Sequence, residues 1–252
     1  MIQTPVKEKP RATQRLLVCE FLHELEQIPD YRRRLAAVLA QEHPQPQHER
    51  LSYQEFLEWA DEDTLAEWVN GEVIMSSPAS LLHQDIVDFL ASVMRMFVAS
   101  RDLGIVISAP FQMKMEQGRE PDVLFIAREH QDRLKPTYLD GPADLVIEVI
   151  SPESAGRDRG EKFYEYERGG VPEYWLIDPL AQRVEWYQAE GGQYHGIPVD
   201  AEHRYHSRVL PGFWLNIDWL WQMPLPHPVE VLGEIAGIPP QEIAHFLGRL
   251  KG

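Results

Sequence analysis

The chain has 252 residues, 44% of them apolar and 25% charged, which are the values of an ordinary globular protein and exclude a mainly disordered or fibrous one. Its 24 Lys and Arg against 40 Asp and Glu leave a formal net charge of −16, so nucleic-acid binding through bulk charge is disfavoured and any phosphate contact needs a local positive site or a bound metal. The single cysteine, Cys19, excludes an internal disulfide framework and a cysteine-rich zinc module.

Residues 1–49 carry seven basic and seven acidic side chains and read as an appended segment. Arg15 to Gln27 and Tyr31 to Gln41 show helix-like apolar spacing on either side of Pro29-Asp30, and His43-Pro44-Gln45-Pro46-Gln47-His48 reads as a linker. The apolar run Leu16 to Leu22 is broken by Glu20 and has no cleavage pattern after it. The most apolar helical stretch, Phe89 to Ala99, contains Arg95, so a cytoplasmic protein without a membrane span is expected.

The main domain is expected over residues 50–218. It opens on the capping-box pattern Ser52-Tyr53-Gln54-Glu55, with Phe56, Leu57 and Trp59 on the apolar side of the helix that follows. Leu65 to Val69 and Glu72 to Ser76 flank Asn70-Gly71, the pair that suits a type I′ hairpin turn. A helix from about Ser80 to Ala99 places Leu82, Ile86, Phe89, Leu90, Val93, Met94 and Phe97 at three- and four-residue spacings. Strands are predicted over Gly104 to Met115, Pro121 to Ala127 and Asp144 to Ile150, then a helix from Arg157 to Arg168 that stops at Gly169-Gly170. Further strands follow at Glu173 to Ile177, Arg183 to Gln188, His203 to Leu210 and Phe213 to Ile217. Two short helices, Pro228 to Ala236 and Pro240 to Leu250, lie in a C-terminal segment, 219–252. Helix, three strands, helix, strand describes an α/β sandwich with a mixed sheet.

No phosphate loop, dinucleotide fingerprint, nucleophile elbow or zincin helix is present. What stands out is ionisable groups in apolar surroundings. Glu148 interrupts Leu145-Val146-Ile147-Glu148-Val149-Ile150, and an ionised carboxylate inside such a strand costs several kcal/mol unless it is paired or metal-bound. An edge position or an arginine partner would also satisfy it. Asp122 opens the strand that begins Pro121-Asp122-Val123; it fits a turn aspartate, or a carboxylate that shares a Mg²⁺ with Glu148 from a neighbouring strand. Lys162 follows Glu148 by 14 residues on the next helix, where Glu161, Glu165 and Arg159 could equally make it an ordinary surface lysine.

Glu72, after the hairpin turn, and His83, at the start of the core helix, are second candidates, and Ser151 and Arg157 could touch phosphate or serve as caps. His203 and His206 have no third ligand nearby, and Trp214, Trp219 and Trp221 read as core or interface residues.

Pro121-Asp122, Glu148-Val149-Ile150 and a lysine on the following helix resemble the PD-(D/E)XK nuclease superfamily. The wider text resembles its Uma-type branch of bacterial endonucleases: Ser52 to Leu57, Asn70-Gly71-Glu72-Val73-Ile74, Ser77-Pro78 with His83, Glu120-Pro121-Asp122-Val123, Asp144 to Pro152, Arg157 to Lys162, and Gly170-Val171-Pro172-Glu173-Tyr174-Trp175. The resemblance implies a restriction-endonuclease-like sandwich, a mixed central sheet flanked by helices, with the terminal helices added to it. It also implies that Asp122, Glu148 and the Val149 carbonyl bind Mg²⁺, with Mn²⁺ as a substitute, that Lys162 positions water and stabilises charge, and that the substrate is DNA. The position two after Glu148, where the pattern has its lysine, holds Ile150, so Lys162 must reach the site from its helix. A silent nuclease-fold binding or scaffold domain and a metal-free acid and base pair of carboxylates are the competing readings. A homodimer through the terminal helices would let two copies cut a duplex.

Overall fold

The computed structural model describes residues 50–60, 64–75, 78–152 and 154–250; the helical pair and linker expected before residue 50 lie outside them. Ser52 caps helix α1 (Tyr53–Trp59): its side chain accepts from the Glu55 N–H while Glu55 accepts from the Ser52 N–H, the reciprocal pair that the sequence pattern predicts. Strands β1 (Ala66–Val69) and β2 (Glu72–Met75) pair antiparallel around Asn70 and Gly71, both at positive φ. Helix α2 (Leu81–Ser100) is capped by Ser80 and buries Ile86, Phe89, Leu90, Val93, Met94 and Phe97.

Three strands that follow lie side by side in one sheet: β3 (Gly104–Ser108), β6 (Val123–Ala127) and β8 (Leu145–Val149). Between them lie short strands β4 (Gln112–Lys114), β5 (Gly118–Arg119) and β7 (Tyr138–Asp140), which join the hairpin in a separate sheet, ordered β2-β1-β5-β4-β7. The expected single strand from Gly104 to Met115 is therefore two strands in two sheets. Pro110, which has no N–H to give a ladder, sits in the bend between them.

The predicted helix from Arg157 to Arg168 is likewise two, α3 (Ala155–Arg159) and α4 (Glu161–Gly169). Gly160 is the joint: its φ of −114° and ψ of −94° leave the helix, and a Cβ there would lie 2.7 Å from the Gly156 carbonyl oxygen. Strand β9 (Glu173–Asp178) then pairs parallel with β8, and β10 (Arg183–Glu190) and β11 (Gln193–Gly196) extend the sheet to the order β11-β10-β9-β8-β6-β3. Strand β11, after Gly191-Gly192, has no counterpart in the sequence reading. The last two predicted strands shrink to a ribbon of β12 (Arg204–His206) and β13 (Trp214–Asn216). Helices α5 (Pro228–Ile235) and α6 (Pro240–Leu250) match their predicted ranges.

The six-stranded sheet is buried on both faces, with α2 over one and α4 over the other. Leu145, Ile147 and Val149 of β8 pack with the α2 residues, whereas Val146 and Ile150 join Tyr166 and Tyr174. The strand period of two therefore turns Glu148 toward α4. No helix among the described residues is long and apolar enough to cross a membrane.

One buried cation ties the smaller sheet to α4. Arg119 of β5 is 0% exposed, and its guanidinium reaches Glu67 of β1 at 3.0 Å and both oxygens of Glu165 at 2.7 and 2.8 Å, with Glu161 at 3.6 Å. The fork geometry of arginine suits this bidentate contact.

Replacing Arg119 by Met removes one of the two cations that pair with buried Glu67, together with the bidentate partner of Glu165, and is expected to cost about 3–5 kcal/mol, read as a lower urea midpoint; a loss under 1 kcal/mol would mean that the two parts hold without it. Gly160→Ala is expected to cost about 1–3 kcal/mol through the clash with Gly156. Gly156→Ala, where a Cβ meets nothing within 4 Å, should instead gain about 0.4–1 kcal/mol. Equal effects of the two glycine substitutions would refute the close-approach argument.

Candidate active site

The strand ends and the helix break bring Asp122, Glu148 and Lys162 together. Asp122 precedes β6, and its Oδ2 accepts the Val149 N–H at 2.7 Å. This bond spans the gap left where the β6–β8 ladder stops at Val123 opposite Ile147. Val149 is paired with Ile177 so that the Ile150 N–H, not Val149's own groups, bonds the β9 side. The Val149 carbonyl consequently shares with its N–H the edge of β8 that faces Asp122.

Glu148 is 3% exposed. Its Oε1 accepts from the Tyr166 hydroxyl at 2.7 Å and from Lys162 Nζ at 3.0 Å. Lys162, 5% exposed, stands among three carboxylates: Glu148 Oε1 and Glu67 Oε1, each at 3.0 Å, and Asp158 Oδ1 at 3.4 Å. Lys162 and Tyr166 lie one helical turn apart on α4, and Asp158 and Lys162 share the same spacing across the Gly160 joint, so all three face the strand.

The charges within this cluster are mutually dependent. Burial alone would discharge Lys162, but the carboxylates of Glu148, Glu67 and Asp158 outweigh it and hold the ammonium well above the ordinary lysine range. Burial pushes the Glu148 carboxyl up, with Lys162 opposing, and Asp158 is pushed up in the same way. Between Lys162 and Glu148 the proton stays on Lys162, which faces three carboxylates while Glu148 faces one ammonium. Glu67 goes the other way: its burial is outweighed by Lys162 and Arg119, so its carboxylate is held below the usual range.

His83 sits at the open side, with Nε2 3.4 Å from Asp122 Oδ2. Burial works against its charge but is outweighed by Asp122 and by the Val149 backbone, so its imidazole is shifted upward. Glu72 does not join the cluster: it is exposed at the hairpin turn, opposite Val69. The carboxylate that this hairpin delivers is Glu67, on the neighbouring strand and 5% exposed. His203 and His206 pair separately, with Asp218 at 3.0 Å and Asp200 at 2.7 Å. Trp219 is buried, and Trp214 and Trp221 pack against the same core.

Sequence reasoning missed Glu67, Asp158, Tyr166 and Arg119. Glu67 carried the signal that marked Glu148, a lone charge in an apolar strand. Asp158 and Tyr166 were visible as residues four before and four after Lys162.

The donor set suits a hard divalent cation. The bonds that Asp122 and Glu148 make each use one oxygen, Oδ2 and Oε1, and leave Oδ1 and Oε2 without a hydrogen-bond partner among the described residues. No three His, Cys, Asp or Glu side chains among the described residues converge at ligand distance, so an ion here would have two carboxylates, a carbonyl and water. Mg²⁺, which keeps several of its waters, accepts such a shell.

Comparison with known proteins follows the same stretch. The Uma2 family model, described as "Putative restriction endonuclease", matches residues 53–218. The uncharacterized protein sll1609 of Synechocystis is 30% identical over 145 residues, which are 56% of this chain and 82% of that protein. A crystal structure of a "putative nuclease belonging to DUF820" from Anabaena variabilis superposes with a TM-score of 0.58 at 18% identity, covering 68% of this chain and 97% of its own, and shows the shared fold. The family match spans well over half of the chain and contains every residue of the cluster: the chain belongs to the Uma2 family.

Proposed function

We propose that the chain is a Mg²⁺-dependent endonuclease that hydrolyses phosphodiester bonds of DNA, with Mn²⁺ as a substitute ion. The observation that carries this reading is the pair Asp122 and Glu148 at adjacent strand ends, each with one oxygen fixed by the protein and one uncommitted, beside a lysine kept charged. Membership of the Uma2 family, whose description is "Putative restriction endonuclease", supports a nucleic-acid substrate.

In this reading Asp122, Glu148 and the Val149 carbonyl hold the ion. When bound, it supplies polarisation of the scissile phosphate and acidification of a water. The Val149 N–H orients the Asp122 carboxylate, and His83 Nε2 lies beside the same oxygen. Lys162 and Tyr166 orient Glu148 by bonding its Oε1. Lys162, cationic through the neutral range, stabilises negative charge that grows on the phosphate and does not serve as a proton acceptor. Arg157, whose Nε has no hydrogen-bond partner and which makes no ion pair among the described residues, is the cation we assign to a neighbouring phosphate. In a chain of net charge −16 such local cations, with the bound ion, must do what a basic surface does elsewhere.

One observation favours the silent binding domain: Lys162 is enclosed by carboxylates with only 7% of its side chain exposed. Cleavage of plasmid and single-stranded DNA at low salt separates the two. We expect cutting with Mg²⁺ or Mn²⁺, none with chelator, and loss to background in Asp122→Ala and Glu148→Ala. Lys162→Met should lower the rate by roughly 10²–10³-fold. Wild-type protein that binds the ion but cuts no DNA across salt and metal would establish the silent domain instead. Mg²⁺ should also raise the melting temperature of the wild type and leave that of Asp122→Ala/Glu148→Ala unchanged, because only the native site binds it; an equal rise in both would place the ion elsewhere.

A further inference from the structure

We propose that helix α6 (Pro240–Leu250) is a self-association surface, on which a second copy of this chain docks its own α6 antiparallel across a two-fold axis at Phe246. The inference does not depend on the metal reading given above.

Helix α6 is amphipathic, and only one of its apolar strips is covered. Ile243 and Leu247 are half-buried, and Ile243 packs so closely on Gly233 of α5 that a Cβ there would lie 2.6 Å from its Cδ1. The next strip round the helix holds Phe246 and Leu250, one turn apart, at 50% and 66% exposure. Exposure alone does not say what covers this strip; the charges beside it do.

Glu242 lies four residues before Phe246 and Arg249 three after it, so both flank Phe246 on one face. Neither makes an ion pair among the described residues, and at seven residues, about 10.5 Å along the axis, they stand too far apart to pair with each other. Turned end for end about Phe246, the helix brings its own opposite charges together. At 1.5 Å per residue Glu242 lies about 6 Å before the axis and Arg249 about 4.5 Å after it. In a two-fold pair each Glu242 therefore stands within one residue of the level of the partner's Arg249, and the pair forms twice. Phe246 meets the partner's Phe246 on the axis, with each Leu250 beside it. A parallel arrangement would set glutamate on glutamate and arginine on arginine. The area is that of a few helical turns, below a standard interface, so the dimer is weak and its charges select direction more than they add affinity.

Sedimentation equilibrium of the full chain over about 5–300 µM, a range suited to a small interface, reads the proposal as mass. The wild type should pass from monomer to dimer across this range. Glu242→Arg and Arg249→Glu each place like charges opposite one another twice and should each weaken dimerisation by about tenfold or more. Glu242→Arg/Arg249→Glu restores the opposition and should return it to within about threefold of the wild type. An equimolar mixture of the two single variants should dimerise more tightly than either does alone. Phe246→Ser should abolish the dimer, and unchanged melting temperatures check that these surface substitutions keep the fold. A wild type that stays monomeric at every concentration would overturn the inference and leave the strip to a different partner. A dimer that Phe246→Ser and both single reversals keep would place the interface elsewhere on the chain and overturn it equally. A double reversal as weak as the single ones would show that these charges do not face each other and refute the antiparallel arrangement. No arm reads cleavage or metal, so each of these results leaves the metal reading untouched.

Discussion

A buried ammonium needs carboxylates, and the architecture around Lys162 is arranged to supply them. Its three partners come from three different places: Glu148 from the middle of the large sheet, Glu67 from the hairpin sheet, and Asp158 from the short helix before Gly160. None of these acids could stay ionised at its depth without a cation, and the cation could not stay charged without them. Arg119 balances the outer side of Glu67 and binds Glu165 on the same helix that carries Lys162. The hairpin sheet, the helix break and the central strands are thus held in register by one chain of alternating charges. Disturbing any member leaves a buried charge unpaired, which is why this part of the molecule should be among its most rigid.

Two buried glutamates on adjacent strands show what separates a structural carboxylate from a chemical one. Glu173 on β9 is 0% exposed and receives the Trp175 indole N–H at 2.7 Å and the backbone N–H groups of Arg208 and Val209 at 2.9 and 3.2 Å, using both oxygens. It ties the strand to the loop that follows β12, and nothing about it invites a ligand. Glu148 gives only one oxygen to the protein. Depth alone does not distinguish the two residues, whereas the count of satisfied oxygens does.

Much of this was legible before any coordinates. The capping box, the Asn70-Gly71 hairpin, the long core helix and the apolar strand interrupted by Glu148 all rest on local rules, and the structure follows them closely. Those rules fail where an element is too short to show a period. Strand β5 has two residues and β7 three, so the second sheet beyond its hairpin was invisible, and Arg119, whose importance lies wholly in its tertiary partners, was invisible with it. Glu67 shares its signal with Glu148 but sits in a four-residue strand, too short for periodicity to show which side is buried, and Glu72 on the same hairpin is the exposed one. The break at Gly160 depends on a close approach between two glycines, which periodicity cannot reveal.

Placing the lysine on a helix rather than on the strand has a physical consequence. Ile150, two residues after Glu148 and on the same face, is packed with Val146, Tyr166 and Tyr174, so a lysine there would be fixed by the strand and its apolar neighbours. A lysine on α4 reaches the same carboxylate through a long, flexible side chain that has several rotamers to lose on ordering. It must be held by something else. Asp158, one turn back across the Gly160 joint, and Glu67, from the neighbouring sheet, are the groups that hold it, and Tyr166, one turn on, fixes the carboxylate it bonds. The two extra acids are therefore the counterpart of the displaced lysine: the helix supplies the cation, and Glu67 and Asp158 supply the direction that a strand would have provided by its pleat.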